Sequence, residues 1–342
     1  MPSPASATNN RILVRATNWI GDTIMMMPAV TALRQANPDA HIALRCPAHL
    51  RDLWRHNPHL NEVITEITGH YDTAYIFPNS FRSAWETVRA RIPRRIGYRG
   101  HWRRWLLTQI IPDFPGEIPH YQTVTIAGKT FRRKVFPTLR HQVHRHLAIV
   151  GASQTVPPRI WLGPDADAIR IRLLGNDPRP IFALNPGAAF GPAKRWPSDR
   201  FASVAEYVHA ASGCRVILLG GPNDPVFPLP PGSLNLVGQT TLLELCVVLK
   251  AARVLLTNDT GPMHLAAALD VPQVALFGST SPELTGPLSD KAVVLREPVT
   301  CAPCFLRECP IDFRCMTSLT VEQVADAILR LLRTTPPFRS PS

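Results

Sequence analysis

Acidic side chains are the scarcer charged class: 25 Asp and Glu stand against 37 Lys and Arg in 342 residues, a formal charge of +12. Such a balance raises nucleic acid, anionic lipid or a phosphorylated substrate as partner. Long apolar runs are missing as well. Even the apolar stretch 242–256 is broken by Glu244, Lys250 and Arg253, short of the roughly 18 to 20 residues that a spanning helix needs. Residues 1–10 are polar, rich in Pro, Ser and Ala, and lack the basic and apolar regions of a secretory signal, so export is not expected. Seven cysteines in a chain of this length do not read as a secreted disulfide framework. No G-x-G-x-x-G follows the first strand, which removes the usual loop of hydride chemistry, and no RRM, KH or zinc-finger signature supports a nucleic-acid reader. No tandem repeat is visible.

With 45% apolar residues the chain can bury sizeable cores, and its length predicts two domains. Strand, loop and helix alternate in both halves. In the first, strands are predicted over 11–16, 41–46, 63–67 and 73–77, with helices over 23–35 and 81–91. In the second, strands over 181–185, 215–219, 254–257, 273–277 and 292–295 alternate with helices over 198–212, 242–251 and 262–269. This grammar predicts two Rossmann-like, doubly wound parallel sheets. The proline-rich stretch 155–164 reads as the linker between them, giving domains 1–157 and 158–320. A last amphipathic helix over 321–333, capped by Thr320, is expected to pack back on the first domain, with 335–342 as a frayed tail.

Charge is unevenly distributed. Residues 1–160 hold 21 basic and 9 acidic side chains, against 16 and 16 in 161–342, so a polyanionic partner is expected to meet the N-terminal domain.

Three strand-end loops of the second half carry candidate binding chemistry. In TNDTGPMHLAAAL, Asn258, Asp259 and Thr260 end a strand, Gly261 permits close backbone approach, and a helix opening at Pro262 with His264 behind it turns its dipole toward an anion. In NPGAAFGPAKRW, Gly187 and Gly191 permit tight turns, and Lys194 and Arg195 place two cations beside the same crevice. In LLGGPND, Asp224 stands where a carboxylate suits ribose hydroxyls. A capped helix and a solvated Lys-Arg pair are the bland alternatives; a shared position at adjacent strand ends favours a ligand site. In the first half, Asn18, Trp19, Gly21 and Asp22 occupy the first strand-to-helix loop, where an aspartate is most often a cap.

The elements RILVRATNWIGDTIMMMPAVTALRQANP, GAAFGPAKRWP and NDTGPMHLAAALDVPQVALFGSTSPELTGP, spread over roughly residues 11–333, resemble the bacterial ADP-heptose:lipopolysaccharide heptosyltransferases, glycosyltransferase family 9, particularly the heptosyltransferase II branch. The resemblance implies a GT-B fold, two Rossmann-like domains facing each other across a cleft, with the acceptor bound mainly by the first domain and the nucleotide sugar by the second. It also implies an inverting glycosyltransferase with ADP-heptose as donor, no required cofactor, and heptosyl-Kdo2-lipid A of the lipopolysaccharide inner core as acceptor. Asp22 matches the family's catalytic base and Lys194 its donor-phosphate lysine; Asp259, Thr260, Gly261 and His264 match its donor element, and Asp224, more loosely, its ribose carboxylate. Ala188, Ala189 and Phe190 stand where some members carry hydroxyls, so phosphate contacts there must come from backbone N–H groups. A carboxylate is a weak base at neutral pH, so the proton must move late or the site must shed water. No D-x-D cluster lies in either strand-end loop, and no catalytic divalent ion is expected.

A membrane-held, anionic acceptor accounts for the basic first half. Residues 89–104 supply seven arginines with Trp102, Trp105, Leu106 and Leu107, suited to a lipid interface or equally to a solvated arginine face; Asn18, Trp19, Arg94, Arg95 and Arg99 are the candidate acceptor contacts. A cytoplasmic monomer, peripheral on the inner face of the inner membrane and without nucleic-acid partners, is expected. Cys301, Cys304, Cys309 and Cys315 have C-x2-C-x4-C-x5-C spacing, which leaves a structural metal, a disulfide and free thiols open, whereas Cys46, Cys214 and Cys246 read as core. The competing readings are another GT-B sugar transferase or a nucleotide-sugar epimerase, and, further off, a nucleic-acid-binding protein.

Overall fold

The computed structural model describes residues 10–100 and 102–334, so the expected tail at 335–342 and the first nine residues lie outside the described residues. The chain divides into two units. The first comprises the chain up to Phe114 with Gln142–Val156, the second Pro115–His141 with the chain from Pro157 onward.

In the first unit the strands are β1 (Arg11–Arg15), β2 (His41–Arg45), β3 (Glu62–Ile64), β4 (Thr73–Ile76), β5 (Arg94–Tyr98) and β6 (Gln109–Ile111). They form one sheet in the order β3-β2-β1-β4-β5-β6, every pair parallel. The order reverses between β1 and β4, the switch point beside which such sheets bind ligands. Central β1 is apolar because both its faces are covered: Ile12, Leu13 and Val14 are buried. Helix α1 (Ile20–Ala36) is buried from Thr23 to Val30, α2 (Phe81–Arg89) is capped by Ser80, and α3 (Val143–Ile149) packs on α1.

The second unit opens with a hairpin, β7 (His120–Ile126) and β8 (Lys129–Val135). Its two-residue turn, Ala127 at φ 51° and Gly128 at φ 73°, has both residues left-handed, as the right-handed twist of the paired strands requires. The main sheet contains β9 (Ile181–Asn185), β10 (Arg215–Leu218), β11 (Leu234–Asn235), β12 (Val254–Asn258), β13 (Gln273–Phe277) and β14 (Ala292–Arg296). Its order, β11-β10-β9-β12-β13-β14, again all parallel, repeats the first sheet, with the switch point between β9 and β12. The helices are α4 (Ala166–Leu174), α5 (Ser198–Ser212), α6 (Leu242–Ala251), α7 (Gly261–Ala268), α8 (Pro282–Thr285), α9 (Arg314–Thr317) and α10 (Val321–Thr334).

Three expectations are corrected. Helix α10 was expected on the first domain; it packs on α5 and β13 of its own unit, where Val324, Ala325, Ile328 and Leu329 join the core around Trp196 and Phe201. Its amphipathic stripe needs an apolar partner, and that sheet face supplies it. Thr320 does cap it, in a reciprocal pair: the Gln323 N–H donates to Thr320 Oγ1 at 3.2 Å and the Thr320 N–H to Gln323 Oε1 at 2.9 Å. Second, residues 115–141 group with the second unit, and with them go five of the basic side chains assigned to the first half. The units then carry net charges of +7 and +5, so the basic excess is shared between them. Third, α1 starts at Ile20, not at Thr23, which places Gly21 and Asp22 inside its first turn rather than in the preceding loop.

Candidate functional site

At the switch point of the second unit, two asparagines hold the strand-end loops in place. Asn258, the last residue of β12, donates Nδ2–H to the Pro186 carbonyl at 2.8 Å and accepts the Trp196 N–H at 3.1 Å. It thereby closes both ends of the loop 186–196. Asn185, at the end of β9, donates to the Leu219 carbonyl at 3.2 Å and ties down the loop after β10. Both side chains are buried and both act as backbone substitutes, leaving the loop fixed with little regular structure of its own.

Within this frame Lys194 and Asp259 meet. The ammonium donates to Asp259 Oδ2 at 2.6 Å, with side-chain exposures of 12% and 4%, so the cation is anchored inside the crevice rather than spread over the surface. The Thr280 hydroxyl donates to the same oxygen at 2.5 Å. Asp259 leads into Thr260, which stands at the N-cap of α7 in extended conformation, followed by Gly261 and Pro262; the positive end of the α7 dipole therefore lies beside Lys194. His264 is buried in the first turns of α7, and burial pushes its imidazole down to about 4 against the attraction of Asp259, which keeps it neutral near pH 7.

Gly187 leaves room for the Asp224 carboxylate, which a Cβ at that position would push aside. That carboxylate accepts the Gly221 N–H at 2.8 Å and stands 3.9 Å from Arg195 Nη2, so Asp224 and Arg195 face one another over Gly187. Lys194 Nζ and the Arg307 guanidinium lie 5.0 and 5.8 Å from the centre of the Phe190 ring, which flanks the ammonium with an aromatic face. Three cations, two carboxylates and a helix N-terminus at one sheet edge can hold a diphosphate between positive groups on fixed supports.

The expected donor residues Gly187, Lys194, Arg195, Asp224, Asp259, Thr260, Gly261 and His264 all come together at this edge. Reasoning from sequence placed Asn258 only at a strand end, without its loop-tying role, and missed Thr280 and Arg307. Arg307 donates Nε–H to the Phe190 carbonyl at 2.7 Å and accepts the Ala193 N–H at 3.0 Å, so it braces the loop from a segment over a hundred residues away. The N-D-T run held the signal for Asn258; nothing local marks the other two.

That bracing segment carries the cysteine cluster. Cys301, Cys304, Cys309 and Cys315 line one small cavity with Phe131 and Phe313, all four as free thiols. Burial, then the neighbouring sulfurs, push Cys315 up to about 12, and burial also raises Cys301 and Cys304, so these thiols stay neutral. Among the described residues no three His, Cys, Asp or Glu side chains are disposed to hold a metal ion. Cys46, Cys214 and Cys246 are buried in the cores.

The corresponding edge of the first unit is built differently. Asp22 sits partly exposed in the first turn of α1. Asn18 accepts from Arg15 Nη1 at 3.2 Å, and Trp19 is 70% exposed. Arg15, Arg45 and Arg82 lie 2.9, 3.7 and 3.2 Å from the Glu86 carboxylate, three cations on one anion. Burial lowers the pKa of Arg15 and the Glu86 charge opposes the shift.

Arg94 and Arg95 are not brought to this edge. They open β5 in parallel register with Thr73 and Ala74, which places them at the amino end of the sheet, opposite Asp22. Arg95 donates to the carbonyls of Leu106 at 2.7 Å and Ile92 at 2.6 Å, and Arg94 to Gln109 Oε1 at 3.0 Å. Only Arg99, exposed just past the end of β5, lies on the Asp22 side. Arg103, counted in the basic run, is fully buried on the Tyr98 carbonyl at 2.7 and 2.9 Å, and burial holds its guanidinium down at about 10. Leu107 belongs to the core, whereas Trp102 and Trp105 are 90% and 87% exposed. Among the described residues no helix is long and apolar enough to cross a membrane.

Two α/β units whose parallel sheets share one strand order, the second with a buried Lys194–Asp259 pair beside a helix N-terminus at its switch point, have the architecture of a GT-B glycosyltransferase. The sequence profile of glycosyltransferase family 9 (heptosyltransferase) matches residues 62–313, and the chain belongs to that family. Lipopolysaccharide heptosyltransferase 2 of Salmonella typhimurium is 31% identical over 327 residues, 84% of this chain and 88% of that protein. The solved structure of Escherichia coli ADP-heptose lipopolysaccharide heptosyltransferase II, 28% identical, superposes with a TM-score of 0.77 over 94% of this chain and 98% of that one. A family 9 glycosyltransferase from Veillonella parvula, 22% identical, shares the fold with a TM-score of 0.77 over 95% and 98% of the two chains.

Proposed function

We propose that this glycosyltransferase moves L-glycero-D-manno-heptose from ADP-heptose to heptosyl-Kdo2-lipid A of the lipopolysaccharide inner core, inverting the anomeric centre. The observation that carries the reading is Lys194, anchored by Asp259 at the mouth of α7. The second unit binds the donor: Lys194, Arg195, Gly261 and the α7 dipole take the diphosphate, and Asp224 meets the ribose. Neutral His264 serves as a fixed dipole behind the phosphates.

The first unit binds the acceptor, with Asp22 taking the proton of the attacking hydroxyl as the bond to ADP breaks and positive charge grows on the sugar ring. Asn18, Trp19, Arg99 and the exposed Arg82 face the acid groups of the inner core, with buried Arg15 holding Glu86 behind them. Exposed Trp102 and Trp105, with Arg104 5.8 Å from the Trp105 ring centre, suit the headgroup layer and support an enzyme peripheral to the cytoplasmic face of the inner membrane. Mass spectrometry of the purified protein with ADP-heptose and a ladder of truncated acceptors tests the reading. The expected product is heptosyl-Kdo2-lipid A carrying one more heptose; transfer from UDP-sugars alone, or to Kdo2-lipid A alone, overturns it.

A further inference from the structure

We infer that Thr280 is a positioning residue of the donor site, holding the Asp259 carboxylate so that Lys194 can leave it for the donor's diphosphate. The inference rests on the donor-site reading above and adds a residue to it. One oxygen, Asp259 Oδ2, accepts from both Lys194 Nζ at 2.6 Å and Thr280 Oγ1 at 2.5 Å, and the aspartate and threonine are both buried. A lysine that meets diphosphate has to loosen its grip on the carboxylate. In a buried site that would strand the anion without a strong donor, which is the costly outcome for an ion pair removed from water. The Thr280 hydroxyl stays on Oδ2 throughout. It supplies a hydrogen bond when the ammonium turns away, and it draws electron density from the oxygen while the pair is closed.

The placement of Thr280 is built. The carbonyl of the preceding residue, Ser279, accepts the N–H groups of Cys304 at 3.0 Å and Phe305 at 2.7 Å, so the loop after β13 is clamped by the cysteine-bearing segment. The same segment braces Phe190 and Ala193 through Arg307, so a single support fixes both the lysine's loop and the hydroxyl opposite it. Ser279 supplies the internal contrast: its side-chain hydroxyl is buried with no hydrogen-bond partner, whereas the Thr280 hydroxyl is committed to the carboxylate.

The test compares Thr280→Val, Thr280→Ser and Ser279→Ala by steady-state kinetics, with ADP-heptose and acceptor varied separately and ADP affinity measured by calorimetry. Thr280→Val keeps the shape and removes the hydroxyl: KM for ADP-heptose and Kd for ADP should rise about tenfold, equivalent to one lost charge-assisted hydrogen bond. KM for the acceptor should not move. Thr280→Ser should restore both constants to within about twofold, and Ser279→Ala should match wild type. In a Lys194→Ala background Thr280→Val should add nothing, since the threonine acts through the lysine. Should the valine variant melt early, Thr280→Ala removes the same hydroxyl and is read the same way. Wild-type donor constants in Thr280→Val, failure of serine to rescue, or an undiminished effect in the Lys194→Ala background overturns the inference. If Lys194→Ala itself leaves ADP affinity unchanged, the donor-site reading falls and this inference with it.

Discussion

The two sheets share one strand order and one switch-point position, yet their carboxyl edges are equipped for different chemistry. In the second unit the edge is closed down: Asn185 and Asn258 tie the loops to strands, and Lys194 is paired inside the crevice. In the first unit three arginines converge on Glu86, Arg15 from within the core and Arg82 from solvent, beside an exposed Trp19 and a partly exposed Asp22. A small, chemically constant nucleotide rewards fixed donors, because preorganisation spares the entropy of ordering them at each turnover. A large acidic acceptor rewards a broad positive field that captures it before it is aligned. Fold alone distinguishes none of this; the loops and side chains at two equivalent positions do.

The sharpest way to break the division is a crossed pair of substitutions. Asp22→Asn should cut turnover by roughly 10³-fold while leaving ADP-heptose affinity near wild type, the loss expected of a proton acceptor. Lys194→Ala should instead weaken ADP-heptose binding and lower kcat/KM by about 10²-fold, with acceptor affinity retained. Kinetics with each substrate varied in turn reads both; donor weakening in Asp22→Asn would mean that the units do not divide the substrates.

A smaller effect separates the units by stability. Arg103→Met should destabilise the first unit by about 3 kcal/mol, because the Tyr98 and Pro78 carbonyls lose a buried donor. The proposed donor edge lies in the other unit, so ADP affinity of the folded variant should be unchanged. Chemical denaturation paired with ADP calorimetry checks it.

Acidification should act on the second unit through His264. Its folded-state value, about 4, lies below the ordinary 6.5, so in that window the unfolded chain binds a proton that the folded chain refuses. Stability is whole above pH 6.5 and is lost as pH falls toward 4, by up to roughly 3 kcal/mol. Urea titrations across the window should show that slope in wild type and a flatter one in His264→Gln. An equal slope in both would place the acid sensitivity elsewhere.

Periodicity and turn chemistry announced the two parallel sheets, since buried strands such as Ile12–Leu13–Val14 and Val254–Leu255–Leu256 must be apolar wherever both faces are covered. The edge proposed for the donor was legible for the same reason: a parallel strand followed by a short loop and a helix delivers its loop to the carboxyl edge, so Lys194 and Asp259 could be assigned to one edge. The arginine-rich stretch misled, because composition does not tell which end of a strand a side chain occupies. Arg94 and Arg95 are as basic as Arg99 and lie at the opposite edge.

The sequence by itself determined the elements, their alternation, and the residue types at each strand end, because these follow from local periods of burial and from backbone rules that act over a few residues. Only the tertiary structure decided that α10 stays on its own sheet, that the hairpin joins the second unit, and that Thr280 and Arg307 reach a loop around residue 190. Those outcomes rest on contacts between segments far apart in the chain, set by which apolar faces and which unpaired carbonyls and N–H groups are left to satisfy once the sheets have formed.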